Sequence, residues 1–494
     1  MDVRPRSVMR SRHPFRERQA PRLWGRSRSA TPCTRPTKPR STARAEAASS
    51  PAVPSTPMVS GPLKRMGDRG LIFSPFRCPP NAVRPYTIGI EMDHSRLRAL
   101  DGLRGIAALI VLVHHSLLVV PALAAPYFGQ VDIGGWAGLL VNTPLHLLWA
   151  GTEAVYLFFI LSGLVLAFSV KSGSFTWSSY FPSRFARLYL PVFGAVVLGA
   201  IVIWATPTFD AADSLWVRNR PEQYELRELL ADLTLLGGPS NAITPLWSLQ
   251  LELLFSALLP LYIYASRRVT PVLQIAVYLA LATLGAYAAV SSLTYLPMFG
   301  IGVALASLWP RISSGLSRLP ARFSALGWSL TLIAAVLMTT SHWMLRPVLP
   351  TELAGAVTLP IVLVGICGII IAAVHAPLLR ALLSSRPFAF LGLISFSLYL
   401  IHEPIVVALS QVVAAPIVTV FVAVPFCIAV ATVFWYLVER PSHRLSRRIR
   451  AGVDSELRLA AYTSTGSTGG GAASSQPRSA STNGSTSVAP AFRR

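Results

Sequence analysis

From residue 103 onward, apolar stretches of about 20 residues recur along the chain, each the length of a bilayer-crossing helix. They fall at about 103–123, 150–170, 186–206, 245–265, 271–291, 293–309, 325–345, 355–375, 388–411 and 415–437. Hydrocarbon offers no partners to backbone amides, so each run must bond internally as a helix. With 52% hydrophobic and only 13% charged residues, the chain is unlike a soluble domain, which would carry roughly 25% charged residues. The expected fold is all-α: a polytopic membrane protein with about ten transmembrane helices and disordered basic tails. The sixth run holds Pro297, Gly300 and Gly302, which predicts bending or close packing, and Pro404 predicts a kink in the ninth.

The net charge of +23 is unevenly spread. Residues 1–100 hold 20 Lys and Arg against 6 Asp and Glu, residues 439–494 hold 9 against 3, and the apolar middle is nearly balanced. Arg-, Pro- and Ser-rich tails without periodicity bury too little apolar area to offset their ordering entropy. This predicts three regions: a disordered basic tail over 1–95, a membrane-embedded domain over 96–445 and a disordered Ser/Thr/Gly-rich tail over 446–494. Beside an anionic leaflet such tails bind lipid, and no fold signature for nucleic acid is present, so no nucleic-acid partner is expected. Placing both termini in the cytoplasm puts ten Lys and Arg in the inner loops. Only Arg218, Arg220, Arg227 and Arg346 then lie outside. An Arg-rich N-terminus also has the composition of an organellar transit peptide; the plasma membrane is the expected location. Cysteine spacing shows neither a metal site nor a disulfide framework. In the longest outer loop, Tyr224 to Leu236 reads as an amphipathic helix at the membrane surface. After Glu439-Arg-Pro441, residues His443 to Arg450 read as a basic amphipathic piece on the inner leaflet.

Ionisable groups inside such helices mark candidate sites. Arg104 and His115 are eleven residues apart on the first run, a net rotation of about 20°, so they share a face about 16 Å apart. An imidazole there is suited to taking a proton from a hydroxyl. His114 points about 100° away and is assigned to packing. Arg184 and Arg187, three apart, share a helix face and suit bidentate phosphate recognition. In Pro245-Leu-Trp-Ser-Leu-Gln-Leu-Glu, Ser248 and Glu252 share a face, with Trp247 beside them. An intramembrane Glu252 needs a cation, hydrogen-bond donors or a proton, and pairing with the imidazole is one choice. In Ser395-Phe-Ser-Leu-Tyr-Leu-Ile-His-Glu-Pro404, Tyr399 and His402 share a face, and His402 could line the acceptor side of a cavity or bridge helices. No nucleophile elbow, Walker loop, zinc spacing or Rossmann fingerprint is present.

Together these motifs resemble the acyltransferase-3 family of integral membrane O-acyltransferases, across about residues 96–445. The resemblance rests on Leu100-Asp-Gly-Leu-Arg-Gly-Ile-Ala-Ala with His115, Ala154-Val-Tyr-Leu-Phe-Phe-Ile-Leu-Ser-Gly163 and Arg184-Phe-Ala-Arg187. It continues in the Trp247–Glu252 and Ser395–Pro404 segments and in Glu439-Arg-Pro441. It implies transfer of an acyl group, often acetyl, from acyl-CoA to a hydroxyl of a carbohydrate, glycolipid or other small molecule. By resemblance His115 is catalytic, with Glu252 in the family's acidic position. Arg104, Arg184 and Arg187 hold the acyl-CoA donor, and Trp247, Ser248, Tyr399 and His402 bind substrate. No metal is implied. The family commonly has two acidic residues after Trp-Ser-Leu, where this chain has Leu251-Glu252-Leu253; the family's frequent soluble appendage is also not expected. The alternative is a multi-pass transporter or flippase, which would show internal repeats and broken helices in corresponding halves; no such duplication is visible.

Overall fold

The structure is a computed structural model that describes residues 94–171, 175–206, 214–221, 223–235, 240–318, 320–413 and 415–466. The expected disordered tail over 1–95 lies almost wholly outside the described residues. Eleven long helices are numbered here in chain order: α1 (His94–Leu117), α2 (Gly151–Lys171), α3 (Trp177–Ala205), α4 (Leu246–Arg268), α5 (Pro271–Tyr287), α6 (Ser291–Leu316), α7 (Ala321–Thr339), α8 (Thr351–His375), α9 (Arg386–Val413), α10 (Pro416–Phe434) and α11 (Arg440–Gly466). No strand occurs among the described residues.

Among the described residues, seven helices are long and apolar enough to cross a membrane, and an eighth if α1 and the bent piece Pro121–Phe128 count as one span. The expected count of about ten is not confirmed; two further apolar helices, Pro271–Tyr287 and Ala325–Thr339, are shorter stretches of the described residues. Leu261, Val272, Leu330 and Phe421 are exposed on the outside of the bundle, while Ser397, His402 and Glu403 are buried within it. Apolar outside and polar within is the arrangement expected in lipid.

Two glycine crossings build the centre. A Cβ on Gly392 of α9 would lie 2.4 Å from the Asp101 carbonyl oxygen of α1, and one on Gly105 would lie 2.4 Å from the Gly392 nitrogen. In the second crossing, a Cβ on Gly302 of α6 would lie 2.1 Å from the Ile160 oxygen of α2. Here the sixth apolar run is packed closely, as its glycines predicted. Around these pairs, α5 packs on α6, α7 on α8, α10 on α9, and α3 on both α9 and α11.

A π-helical turn, Trp435–Glu439, joins α10 to α11. Such wide turns cluster at functional sites, and this one points Glu439 inward, where its Oε2 accepts from the Ser397 amide at 3.1 Å. The expectation of disorder from residue 446 is corrected, because α11 continues to Gly466. Its hydroxyls bond the backbone of α3: Ser442 Oγ donates to the Ala186 carbonyl at 2.9 Å and Ser446 Oγ to that of Ser183 at 2.6 Å. Thr176 Oγ1 adds a bond to Asp454 at 2.7 Å. Residues 467–494 lie outside the described residues.

Between α3 and α4, the predicted amphipathic helix is present as Leu226–Thr234, its start closed by reciprocal Glu225 and Glu228 caps. Leu226 and Leu230 face outward and Asp232 is fully buried, accepting from Tyr224 and Ser240, each at 2.6 Å.

Gly392→Val should force α1 and α9 apart. The expected loss is about 1–3 kcal/mol or more, read as a lower thermal unfolding midpoint in detergent, while Gly327→Val, whose Cβ meets nothing within 4 Å, leaves the midpoint unchanged.

Candidate active site

A cavity of about 450 Å³ opens between α1, α2, α3, α4 and α9. One end is cationic. Arg104 comes from α1, and Arg184 with Arg187 from successive turns of α3, as the spacing predicted. Their surroundings differ. Arg184 Nη2 lies 2.7 Å from Glu252 Oε1, its Nε donates to Ser256 Oγ at 2.9 Å, and Ser162 Oγ donates to the same carboxylate oxygen at 3.1 Å. Arg104 and Arg187 make no hydrogen bond or ion pair among the described residues, so their guanidinium donors remain open to the cavity.

Of the partners expected for Glu252, the structure supplies a cation and a hydroxyl donor rather than an imidazole: it neutralises Arg184 and accepts from Ser162. The reason is depth: α4 enters the bundle beside α2 and α3, which sets its second inward turn against the guanidinium layer.

Farther in, the cavity narrows between Phe158, Phe159, Phe299 and Leu249 and reaches Ser248 and Tyr399. These two hydroxyls are 2.7 Å apart, and Ser248 Oγ also donates to the Pro245 carbonyl at 2.9 Å. A hydroxyl has one proton to give. Ser248 gives its proton to Pro245, so Tyr399 donates to Ser248. Trp247, expected to bind substrate, does not line the cavity: its ring packs 4.9 Å from Tyr295 and 5.8 Å from Phe159. One residue along a helix is a 100° turn, enough to take it off the Ser248 face.

Beyond Tyr399 lies His115, which the cavity does not reach in this structure. Arg104 and His115 were expected to flank one continuous space; Tyr399 and His402 of α9 stand between them. His115 Nδ1 is 3.1 Å from the Val111 carbonyl and 2.9 Å from His402 Nε2. His402 Nδ1 is in turn 3.0 Å from the Leu398 carbonyl. A carbonyl only accepts, so a neutral His402 carries its proton on Nδ1 and presents a lone pair at Nε2. His115 then carries its proton on Nδ1 as well, and its Nε2, which makes no hydrogen bond among the described residues, holds the remaining lone pair. His402 is fully buried, with both nitrogens engaged. Of its two expected places, the structure shows the helix bridge: His402 of α9 bonds His115 of α1.

His114 packs, as expected, with Nδ1 3.0 Å from the Trp149 carbonyl. Tyr127 joins it to His146, whose Nε2 is 3.4 Å from the phenol oxygen. Burial, helped by His114 and His342, pushes His146 down to about 2, leaving a neutral ring in this cap.

Sequence reasoning missed the partners of Glu403, a fully buried carboxylate adjoining His402. Arg220 Nη1 lies 2.7 Å from its Oε1, and the Thr244 amide donates to Oε2 at 2.7 Å. The signal was a second intramembrane carboxylate with no cation at helical spacing. Among the described residues, no group of three His, Cys, Asp or Glu side chains is placed to hold a metal ion.

Residues 97–440 match a family model described as an acyltransferase domain. The acyltransferase MdmB of Streptomyces mycarofaciens is 29% identical over 176 residues, covering 35% of this chain and 41% of the relative. The O-acetyltransferase PaAT-1 of Phomopsis amygdali is 25% identical over 388 residues, 65% of this chain and 75% of the relative. The chain thus matches less than half the length of the Streptomyces protein. No solved structure matches.

Glu252→Gln should leave the Arg184 guanidinium without its counter-charge and lower stability by about 1–3 kcal/mol, measured by thermal unfolding without substrate. Replacing both, as Arg184→Met with Glu252→Met, should recover most of that loss.

Proposed function

We propose that this chain, which belongs to the acyltransferase-3 family, is an integral membrane O-acyltransferase that moves an acyl group from acyl-CoA to an acceptor hydroxyl. The observation that carries the reading is the proton arrangement of the histidine pair, which leaves a lone pair on His115 Nε2, beyond the Ser248 and Tyr399 hydroxyls that line the cavity.

The donor's phosphates dock on Arg104 and Arg187, whose guanidinium groups make no hydrogen bond or close ion pair among the described residues, although the Asp101 and Glu439 carboxylates share the cavity; Arg184, tied to Glu252, borders them. Guanidinium is the side chain best matched to bidentate phosphate contact. The pantetheine arm follows the Phe158, Phe159 and Leu249 walls and brings the thioester to Tyr399 and Ser248. Passage to His115 requires that hydroxyl pair to part. Tyr399, once released from Ser248, offers its O–H to the carbonyl oxygen.

The chemistry is one substitution. His115 Nε2 takes the acceptor's hydroxyl proton as the oxygen attacks the thioester carbon; the carbonyl oxygen gathers negative charge, and a hydrogen-bond donor aimed there lowers the barrier. Collapse breaks the carbon–sulfur bond, and the imidazolium returns the proton to the leaving thiolate. Acceptor and acyl-CoA become ester and CoA thiol.

The loop charge count favours the guanidinium end on the cytoplasmic side, where acyl-CoA is made. An O-acetyltransferase among the relatives favours acetyl as the group carried. A carbohydrate, glycolipid or secondary metabolite supplies the hydroxyl.

The test is labelled acetyl transfer from acetyl-CoA by membranes holding wild type, His115→Ala or Arg187→Ala, screened over hydroxyl acceptors. His115→Ala should lose about 10²–10⁴-fold in kcat/KM. Arg187→Ala should raise the donor KM by about ten- to a hundredfold, the worth of a charged hydrogen bond. Full transfer by His115→Ala at normal expression would overturn the reading. Gradient-dependent uptake without any transfer would favour transport.

A further inference from the structure

The segment from Ser214 to Pro221 is pinned at both ends around His115. At one end Ser214 Oγ donates to the Leu118 carbonyl, just past α1, at 2.5 Å, and accepts from the Trp216 amide at 3.3 Å. At the other, Arg220 Nη1 meets Glu403 of α9 at 2.7 Å and donates to the Asn241 carbonyl at 3.1 Å. Trp216 sits between these anchors. Its ring is 4% exposed and lies 5.5 Å from the His115 ring.

Arg220 does two jobs with one group. Its Nη1 lies 2.7 Å from Glu403 Oε1 as an ion pair, and its guanidinium covers the Trp216 ring at 4.7 Å. A planar guanidinium can stack on a ring while its charge compensates a carboxylate; an ammonium has no such face. Glu403 has no exposed surface, and it adjoins His402, the residue bonded to His115 Nδ1. Thr244 fixes the other carboxylate oxygen through both its amide and its hydroxyl. The segment therefore reaches His115 twice, through Trp216 on the ring and through Glu403 beside the ring's hydrogen-bond partner.

We infer that Arg220 is a positioning residue: by stacking on Trp216 while pairing with Glu403, it seats the 214–221 segment against His115 and fixes where Nε2 points. What Nε2 then does rests on the acyltransfer reading; the seating itself does not. Two hydrogen bonds at Nδ1 leave the imidazole able to swing about the line joining them to its Cβ, and the Trp216 ring opposes that swing. An acceptor hydroxyl meets the base only when the base is held in reach of it, and a misplacement of about 1 Å can cost about a hundredfold in rate. The donor cavity, whose lining includes neither Trp216 nor Arg220, is not touched by the change.

Arg220→Lys keeps the counter-charge on Glu403 and loses the stacked face; Trp216→Ala loses the ring and leaves every charge paired. Both are compared with the wild-type full chain in lipid nanodiscs by two measurements. The first is carbethoxylation of His115 by diethyl pyrocarbonate, followed from peptide masses. The second is the kinetics of acyl transfer, with donor and acceptor varied separately. Both variants should modify His115 at least about threefold faster. Both should lose about ten- to a hundredfold in kcat, with the donor KM within about twofold of wild type. Wild-type carbethoxylation rates and kcat in both variants would overturn the inference. So would equal losses for donor and acceptor with no change at His115. Faster modification in the variants, with no acyl transfer even by wild type, would uphold the seating and overturn the acyltransfer reading instead.

Discussion

Gly105 of α1 and Gly392 of α9 bring two helix backbones into contact, and the depth of the other site residues can be counted from that crossing. The helices run parallel. His115 lies ten residues beyond Gly105, and His402 lies ten residues beyond Gly392. Equal arms of about 15 Å deliver two imidazoles to one level, where Nδ1 and Nε2 meet at 2.9 Å. Arg104, next to Gly105, is left at the cavity's cationic end. A side chain at either glycine would widen the crossing and part the histidines at its far end, so a packing requirement and a chemical one are met by the same contact.

Charge compensation accounts for the remaining arrangement. A buried carboxylate is costly unless paired or bonded. Glu252 has Arg184 and Ser162, Glu403 has Arg220 and Thr244, and Glu439 has Ser397. Each pairing links elements apart in sequence, so the polar groups also specify which element sits beside which. What remains after this matching is informative: Arg104, Arg187 and the His115 Nε2 atom stay open among the described residues.

The sequence was legible where a short-range rule operates. Apolar length located the helices, and spacing of three put Arg184 and Arg187 in one cavity. Spacing of four did the same for Ser248 and Glu252. It was not legible where two helices meet, because periodicity gives a face but no partner. Glu252 found a guanidinium rather than an imidazole, and His402 turned from substrate contact to support for His115. Trp247 was read by its motif neighbours, though one residue's rotation points it at Tyr295. The Arg220–Glu403 pair joins a loop to a helix 183 positions later, a register no local pattern encodes. The boundary at residue 446 was not legible either: α11 runs past it to Gly466, with Ser446 bonded to the Ser183 carbonyl of α3.

The order in which the helices emerge during synthesis has a consequence for the half-made protein. Helices α1 to α4 carry Arg104, His115, the Arg184–Glu252 pair and Ser248, so the first half of the chain holds most of the cationic cavity. Tyr399, His402 and Glu439 arrive on α9 and the turn before α11, close to the end. Until then Ser248 has no phenol to meet and His115 no imidazole to hold its Nδ1. A nascent chain that stalls after α8 therefore exposes polar groups inside the bilayer with their partners still unmade, the kind of incomplete packing that quality control recognises. The geometry of the histidine pair and the signal of a finished protein are completed by the same late helix.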